Sequence, residues 1–294
     1  MPESMILKKG NFKILDGAMG SELIQKGQVL PDYIWSSDSN IKAPQLVFQI
    51  HKEYIMAGSN YITTNTFRTT PRAYMKTGLS ESESLEMANK SLKMAVKMAK
   101  KAANRDCVVL GSIAPLEDCY QPELFPGEDI ARKEFEQIGK WLKGEGVDIF
   151  LIETMNSIAE AQSCLDAVSN FNLPILIGFT LKDPKRLLSG ESLSDAISAL
   201  SSYNVDCLLL NCNPLSRTEE SMRIVSESWN GEWGVYPNLG IGEPSPNGVI
   251  SNIHSDEEFL DLIDKAINLG ATILGGCCGS NTSHIKLISD KINE

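Results

Sequence analysis

The 294-residue chain predicts an α/β fold, a (β/α)₈ TIM barrel in one domain spanning residues 1–294. Eight short apolar, β-branched runs recur along its length, each followed by a turn and an amphipathic stretch with helical spacing. The runs are nearly continuous in their apolar character rather than alternating, which suits parallel strands covered by helices on one face and buried on the other. An open, doubly wound sheet would need a nucleotide-type glycine loop after its first strand. Gly17-Ala18-Met19-Gly20 is a poor match to that pattern.

The elements follow in order. Strand 12–15 runs into Asp16-Gly17 and leads to helix 44–56. Strand 61–64 runs into Thr63-Thr64-Asn65-Thr66 and leads to helix 82–103, where lysines alternate with Leu92, Met94, Ala95, Met98 and Ala99 at the spacing of a solvated helix face. Strand 108–111 precedes helix 130–143. Strand 149–152 ends at Glu153-Thr154 before helix 157–168, which Ser157-Ile158-Ala159-Glu160 opens in the form of a capping box. Strand 175–179 precedes helix 193–200, and strand 207–210 ends at Asn211-Cys212-Asn213 before helix 219–229. Strand 234–236 is the least marked, because the stretch 231–234 is short and glycine-rich; it ends at Pro237-Asn238. Helix 256–268 follows, with Asp256 as its expected cap and Gly270 as its left-handed terminator. Strand 271–274 runs into the cysteine pair, and helix 283–292 completes the series.

Composition sets further bounds. With 42% hydrophobic and 22% charged residues, the chain reads as a soluble globular protein with a sizeable core. A formal net charge of −11 leaves no basic face for nucleic acid and favours approach of cationic substrates. Residues 1–10 are too short and polar for a secretory signal, and no run is long and apolar enough for a membrane span. Seven cysteines without such a signal read as reduced thiols of the cytoplasm, and the odd count and adjacent pair argue against a disulfide framework.

In a barrel of this kind the reactive groups come from loops after the strands. Polar residues do gather there: Asp16, Asn65, Glu153, Asn211, Asn238 and three cysteines. Cys212, Cys277 and Cys278 all lie just beyond strand ends and can converge on one metal ion. Three protein ligands leave a fourth tetrahedral position open, the arrangement of a catalytic zinc site. A vicinal Cys277–Cys278 disulfide is the main rival, and it leaves Cys212 unexplained. Cys107, Cys164 and Cys207 read as small core residues, and Cys119 as a loop residue. His51, His254 and His284 are assigned structural or surface roles.

Taken together, Asp16-Gly17-Ala18-Met19-Gly20, Thr64-Asn65-Thr66-Phe67, Ile152-Glu153-Thr154, Asn211-Cys212, Tyr236-Pro237-Asn238 and Gly275-Gly276-Cys277-Cys278-Gly279 resemble the homocysteine S-methyltransferase family, over nearly the whole chain. The resemblance implies a (β/α)₈ barrel with Zn²⁺ held by Cys212, Cys277 and Cys278. It implies methyl transfer to the sulfur of L-homocysteine, giving methionine. Asp16 and Glu153 match the acidic residues that hold the substrate amino group, with backbone near Gly17 helping. The family's donors include S-methylmethionine, S-adenosylmethionine, betaine and, in larger proteins, methyl-folate; a chain of this length has no room for cobalamin or folate modules beyond the barrel, which makes a small onium donor the leading choice. Trp35, Asn65, Arg68, Tyr236 and Asn238 are the candidate donor-pocket residues. Arg68 stands where some betaine-using relatives carry tyrosine, which weakens direct transfer of a betaine pocket. Two further readings are a homocysteine-activating component of a multicomponent methionine synthase and a non-enzymatic zinc- or thiol-binding barrel. Oligomeric state is left open.

Overall fold

A computed structural model describes residues 12–104, 107–241 and 248–293; the sequence reading of residues 1–10 lies outside them. The strands are β1 (Lys13–Ile14), β2 (Tyr61–Thr63), β3 (Val108–Ile113), β4 (Ile149–Met155), β5 (Ile175–Phe179), β6 (Leu181–Asp183), β7 (Arg186–Leu187), β8 (Cys207–Pro214), β9 (Glu232–Asn238) and β10 (Ile273–Leu274). Eight of them form one parallel sheet in the order β1-β10-β9-β8-β5-β4-β3-β2. A parallel bridge between Leu15 and Tyr61 brings the two ends together and closes the ring. The expected (β/α)₈ barrel is therefore present.

Each strand sends alternate residues to opposite faces. Inward positions build one cluster, containing Leu15, Val108, Leu110, Ile149, Leu151, Leu176, Cys207, Leu209 and Ile273. Outward positions such as Val109, Phe150, Ile152, Ile177, Leu208 and Leu210 join a larger cluster beneath the helices. Burial on both faces is the physical reason the strands read as unbroken apolar runs.

The helices are α1 (Met19–Gln25), α2 (Ser37–Lys42), α3 (Pro44–Met56), α4 (Pro71–Met75), α5 (Glu81–Ala103), α6 (Glu128–Glu145), α7 (Ile158–Val168), α8 (Leu193–Ala199), α9 (Leu215–Ser228), α10 (Asp256–Asn268) and α11 (Thr282–Asn293). The outer layer matches the eight amphipathic stretches. The short α1, α2 and α4, and the antiparallel β6–β7 hairpin, lie in loops after strands and were not anticipated. None of the helices among the described residues is long and apolar enough to cross a membrane.

Two caps differ from expectation. Ser255, not Asp256, caps α10, in a full capping box with Glu258. Both residues can cap, and the serine wins by sitting one position earlier, with its hydroxyl accepting the Glu258 N–H at 3.2 Å. At α7 only half the box forms. Ser157 accepts from Glu160 N at 3.3 Å, but the Glu160 carboxylate turns away to accept Leu116 N at 2.9 Å. Gly270 does adopt a left-handed φ of 97° beyond the end of α10.

The weakly marked seventh barrel strand, β9, is seven residues long. Its glycine is a packing requirement: a Cβ on Gly234 would stand 2.1 Å from the Ile273 carbonyl oxygen of β10. Gly234→Ala is expected to destabilise the protein by about 1–3 kcal/mol, the usual cost of overpacking, because backbone cannot yield as a side chain can. Urea denaturation with an unchanged m-value checks this.

Candidate active site

The mouth of the barrel is built by strand ends that depart from regular geometry. Between Ile152 and Met155 the β4–β5 register shifts, and between Asn211 and Pro214 the β8–β9 register shifts. The residues inside these bulges, Thr154 and Cys212, have φ of 60° and 57°. Left-handed backbone at a non-glycine residue costs on the order of 1–3 kcal/mol and persists only where surrounding structure enforces it. Asn211 enforces it here: its Oδ1 accepts Thr154 N at 3.0 Å and its Nδ2 donates to Thr154 Oγ1 at 2.8 Å. Bulges re-aim side chains, and these turn Glu153 and Cys212 toward the mouth.

The cysteine pair is set by a continuation of the ladder beyond β10. Cys277 N donates to Pro237 O at 2.8 Å, and Leu239 N donates to Cys278 O at 2.8 Å. Gly276 has no room for a side chain, since a Cβ would come 2.5 Å from that of Ser280. Gly279, at φ 79°, makes the turn that follows and donates to Ser21 Oγ at 3.0 Å.

The ligand atoms of Cys212, Cys277 and Cys278 consequently lie within 4.8 Å of one another, a group that could hold a metal ion. Their edges are 2.8 Å (Cys212–Cys277), 3.6 Å (Cys212–Cys278) and 4.0 Å (Cys277–Cys278). Two thiolates on one tetrahedral zinc, each bonded at about 2.3 Å, stand about 3.8 Å apart. Two edges bracket that value and the third is tighter, so the donor set fits a small thiophilic cation. Hydrogen bonding to Cys212 holds the Cys278 thiol well below its ordinary range and pushes that of Cys277 well above it. All seven cysteines are free thiols in this structure, with the Cys277 and Cys278 sulfurs 4.0 Å apart. Cys107, Cys164 and Cys207 are buried in the core clusters, as expected. Cys119 is buried beside the site, where its thiol is pushed up to about 12 by burial.

Two carboxylates share the mouth. Asp16 is 6% exposed, and its Oδ2 accepts Thr63 N at 2.9 Å. Glu153 is 8% exposed, accepting from the Ser112 hydroxyl through Oε1 and from the Tyr236 hydroxyl through Oε2 at 3.3 Å. Burial raises both to about 7; the charge of Glu153 adds to the rise of Asp16, and that of Cys212 adds to the rise of Glu153. Two buried acids with no Lys or Arg paired to them among the described residues are chemically suited to a positively charged group. Gly17, beside them, packs against Tyr54 and Ser280.

The other sequence candidates are placed as follows. Tyr236 is buried in the barrel interior, its hydroxyl on Glu153. Asn238, half-buried at the end of β9, accepts Gly240 N at 2.8 Å. Asn65 is fully engaged: it accepts from Ser36 Oγ at 2.6 Å and donates to Ser36 O and Asn40 Oδ1, each at 2.9 Å. It therefore fixes the loop carrying Trp35. That indole is half-buried and lies against Gly20 and Gly248. Arg68 donates to Glu117 O and lies 5.2 Å from the Phe67 ring centroid.

Several residues of the site escaped sequence reasoning. Ser112 was legible by parity, since it continues the inward face of Val108 and Leu110 with a hydroxyl. Tyr120, whose hydroxyl stands 3.6 Å from Cys212 Sγ, arrives on an irregular loop and carries no such signal. His51, assigned a structural or surface role, is fully buried behind Asp16.

The sequence profile of the homocysteine S-methyltransferase family matches residues 13–292. Homocysteine S-methyltransferase 1 of Brassica oleracea var. italica is 30% identical over 310 residues, covering 98% of this chain and 95% of that protein. Homocysteine S-methyltransferase of Escherichia coli (strain K12) is 26% identical over 305 residues, covering 97% and 96%. The crystal structure of the Escherichia coli homocysteine methyltransferase MmuM in its metallated form superposes with a TM-score of 0.83 at 24% identity, over 99% of this chain and 100% of that one. With the profile running from β1 to α11, the chain belongs to the homocysteine S-methyltransferase family and is a methyltransferase.

Proposed function

We propose that the protein transfers a methyl group from a small onium donor to the sulfur of L-homocysteine, forming methionine, with Zn²⁺ held by Cys212, Cys277 and Cys278. The donor class comprises S-methylmethionine, S-adenosylmethionine, betaine and related zwitterions. The observation that carries the reading is the sharing of one mouth by three converging sulfurs and two buried carboxylates. The first set suits a thiol and the second an ammonium, and homocysteine carries both.

When bound, zinc supplies the acidity that takes the proton from the acceptor thiol. The remaining work falls to the chain itself. Asp16 and Glu153 pair with the acceptor ammonium, which returns their raised pKa values toward the ionised side. Ser112 and Tyr236 fix the Glu153 carboxylate. The acceptor sulfur attacks the donor methyl carbon, the carbon–onium bond breaks, and its electron pair leaves with a donor now neutral at that centre. Holding both partners in one cleft supplies much of the rate. The half-buried Trp35 offers a π face to the onium cation. Free thiols in this number suit a reducing compartment, in keeping with a cytoplasmic enzyme.

A donor panel tests the reading: purified protein with zinc, L-homocysteine and each onium compound, scored by methionine formation. Turnover with at least one small onium donor, and its loss on chelation, are expected. Turnover only with a cobalamin-linked methyl group would overturn the donor class.

A further inference from the structure

His51 lies on α3 with its side chain fully buried, and its Nδ1 is 3.8 Å from Asp16 Oδ2. Neither ring nitrogen has a hydrogen-bond partner among the described residues. A buried N–H left unpaired carries its full desolvation cost, which an aliphatic residue of similar size would avoid. The imidazole is therefore expected to have a partner in some state of the protein. Asp16 is the polar group it faces. At 3.8 Å the contact is too long for a hydrogen bond, as is common in substrate-free sites whose contacts tighten on binding.

We propose that His51 is a positioning residue for Asp16, donating from Nδ1–H to Asp16 Oδ2 once the acceptor ammonium is docked. This rests on the reading of Asp16 as a partner of that ammonium. Thr63 N already addresses Oδ2 from β2 at 2.9 Å. A second donor on the same oxygen holds the carboxylate from two directions and leaves Oδ1 to the substrate. The donor must be neutral, since a second cation would compete with the ammonium. Burial ensures this by pushing the imidazole down to about 4. A neutral imidazole carries one N–H, so the proposal also specifies the tautomer.

The test is homocysteine binding by titration calorimetry and steady-state kinetics on the zinc-loaded protein. His51→Leu is expected to weaken homocysteine about 10-fold or more, the scale of a lost hydrogen bond to a charged group, while kcat and zinc affinity stay within about 3-fold. His51→Asn, whose amide can donate from near the Nδ1 position, is expected to recover most of the loss. Asp16→Asn tests the underlying reading separately: unchanged homocysteine affinity in that variant removes the ammonium partner and the proposal with it. Weakening by Asp16→Asn but not by His51→Leu, or equal weakening by His51→Leu and His51→Asn, overturns the positioning role alone. Should the leucine variant fail to fold, ¹⁵N-histidine spectra of the wild-type protein with homocysteine decide the matter. A protonated Nδ1 is expected for His51, and an Nε2–H tautomer refutes it.

Discussion

Replacing Cys278 by alanine is expected to strip the site of metal and to end methyl transfer. Residues that merely support metal ligands typically cost 10–100-fold in affinity or activity when lost, so removal of a ligand itself should exceed about 100-fold in both. Two sulfurs would remain, Cys212 and Cys277, and neither has a replacement donor within the group. The fold should survive. Cys278 is half-buried beyond β10, and its backbone bond from Leu239 N does not involve the side chain. Chelator competition for zinc and methionine formation are the two measurements, with the thermal melt of the metal-free protein as control. A variant that keeps stoichiometric zinc and normal turnover would remove Cys278 from the ligand set.

Glu153→Gln is expected to act in opposite directions on binding and on stability. Glutamine can keep the contacts with Ser112 and Tyr236 while deleting the charge that meets the ammonium. Loss of a charge-assisted pair in a buried setting should weaken homocysteine by about 100-fold. Stability moves the other way. In the folded, ligand-free protein the Glu153 carboxyl is raised from 4.5 to about 7, chiefly by burial. Between those values the folded state binds more protons than the unfolded state, so stability falls as pH rises through the window. At pH 8 the penalty is fully present, at about 3 kcal/mol for a shift of this size. At pH 4 it is absent. The glutamine variant should therefore be the more stable protein at pH 8 and match the wild type at pH 4, in urea titrations of the metal-free forms. A stability difference that is flat with pH would mean that Glu153 is not held in its protonated form by the fold.

Much of this site was legible because a barrel turns sequence position into place. Once eight apolar runs are counted, the few residues after each run belong to the mouth, and Asp16, Glu153, Cys212 and the Cys277-Cys278 pair all fall within three or four positions of a run's end. Parity within β3 could have added Ser112 in the same way. What could not be counted was conformation. Nothing in Glu153-Thr154 or Asn211-Cys212 announces a left-handed residue; at Thr154 the conformation is held by Asn211, a partner 57 residues away. His51 was hidden for a related reason. Its helix pattern marks it only as inward-facing, while its proximity to Asp16 depends on how α3 lies against the barrel. Asn65 shows the converse: a polar residue at a strand end whose side chain is committed to Ser36 and Asn40 in the wall behind the mouth.

The pairing of β1 with β10 has a consequence for biogenesis. Asp16 is among the first residues of the barrel to be synthesised and Cys278 among the last, yet both stand just beyond strand ends at one mouth of the barrel. A nascent chain still lacking Cys277 offers an ion one sulfur out of three and has no partner for its opening strand. On the proposed reading, three-sulfur loading waits until synthesis has passed Cys278, the stretch that also brings β1 its partner in β10.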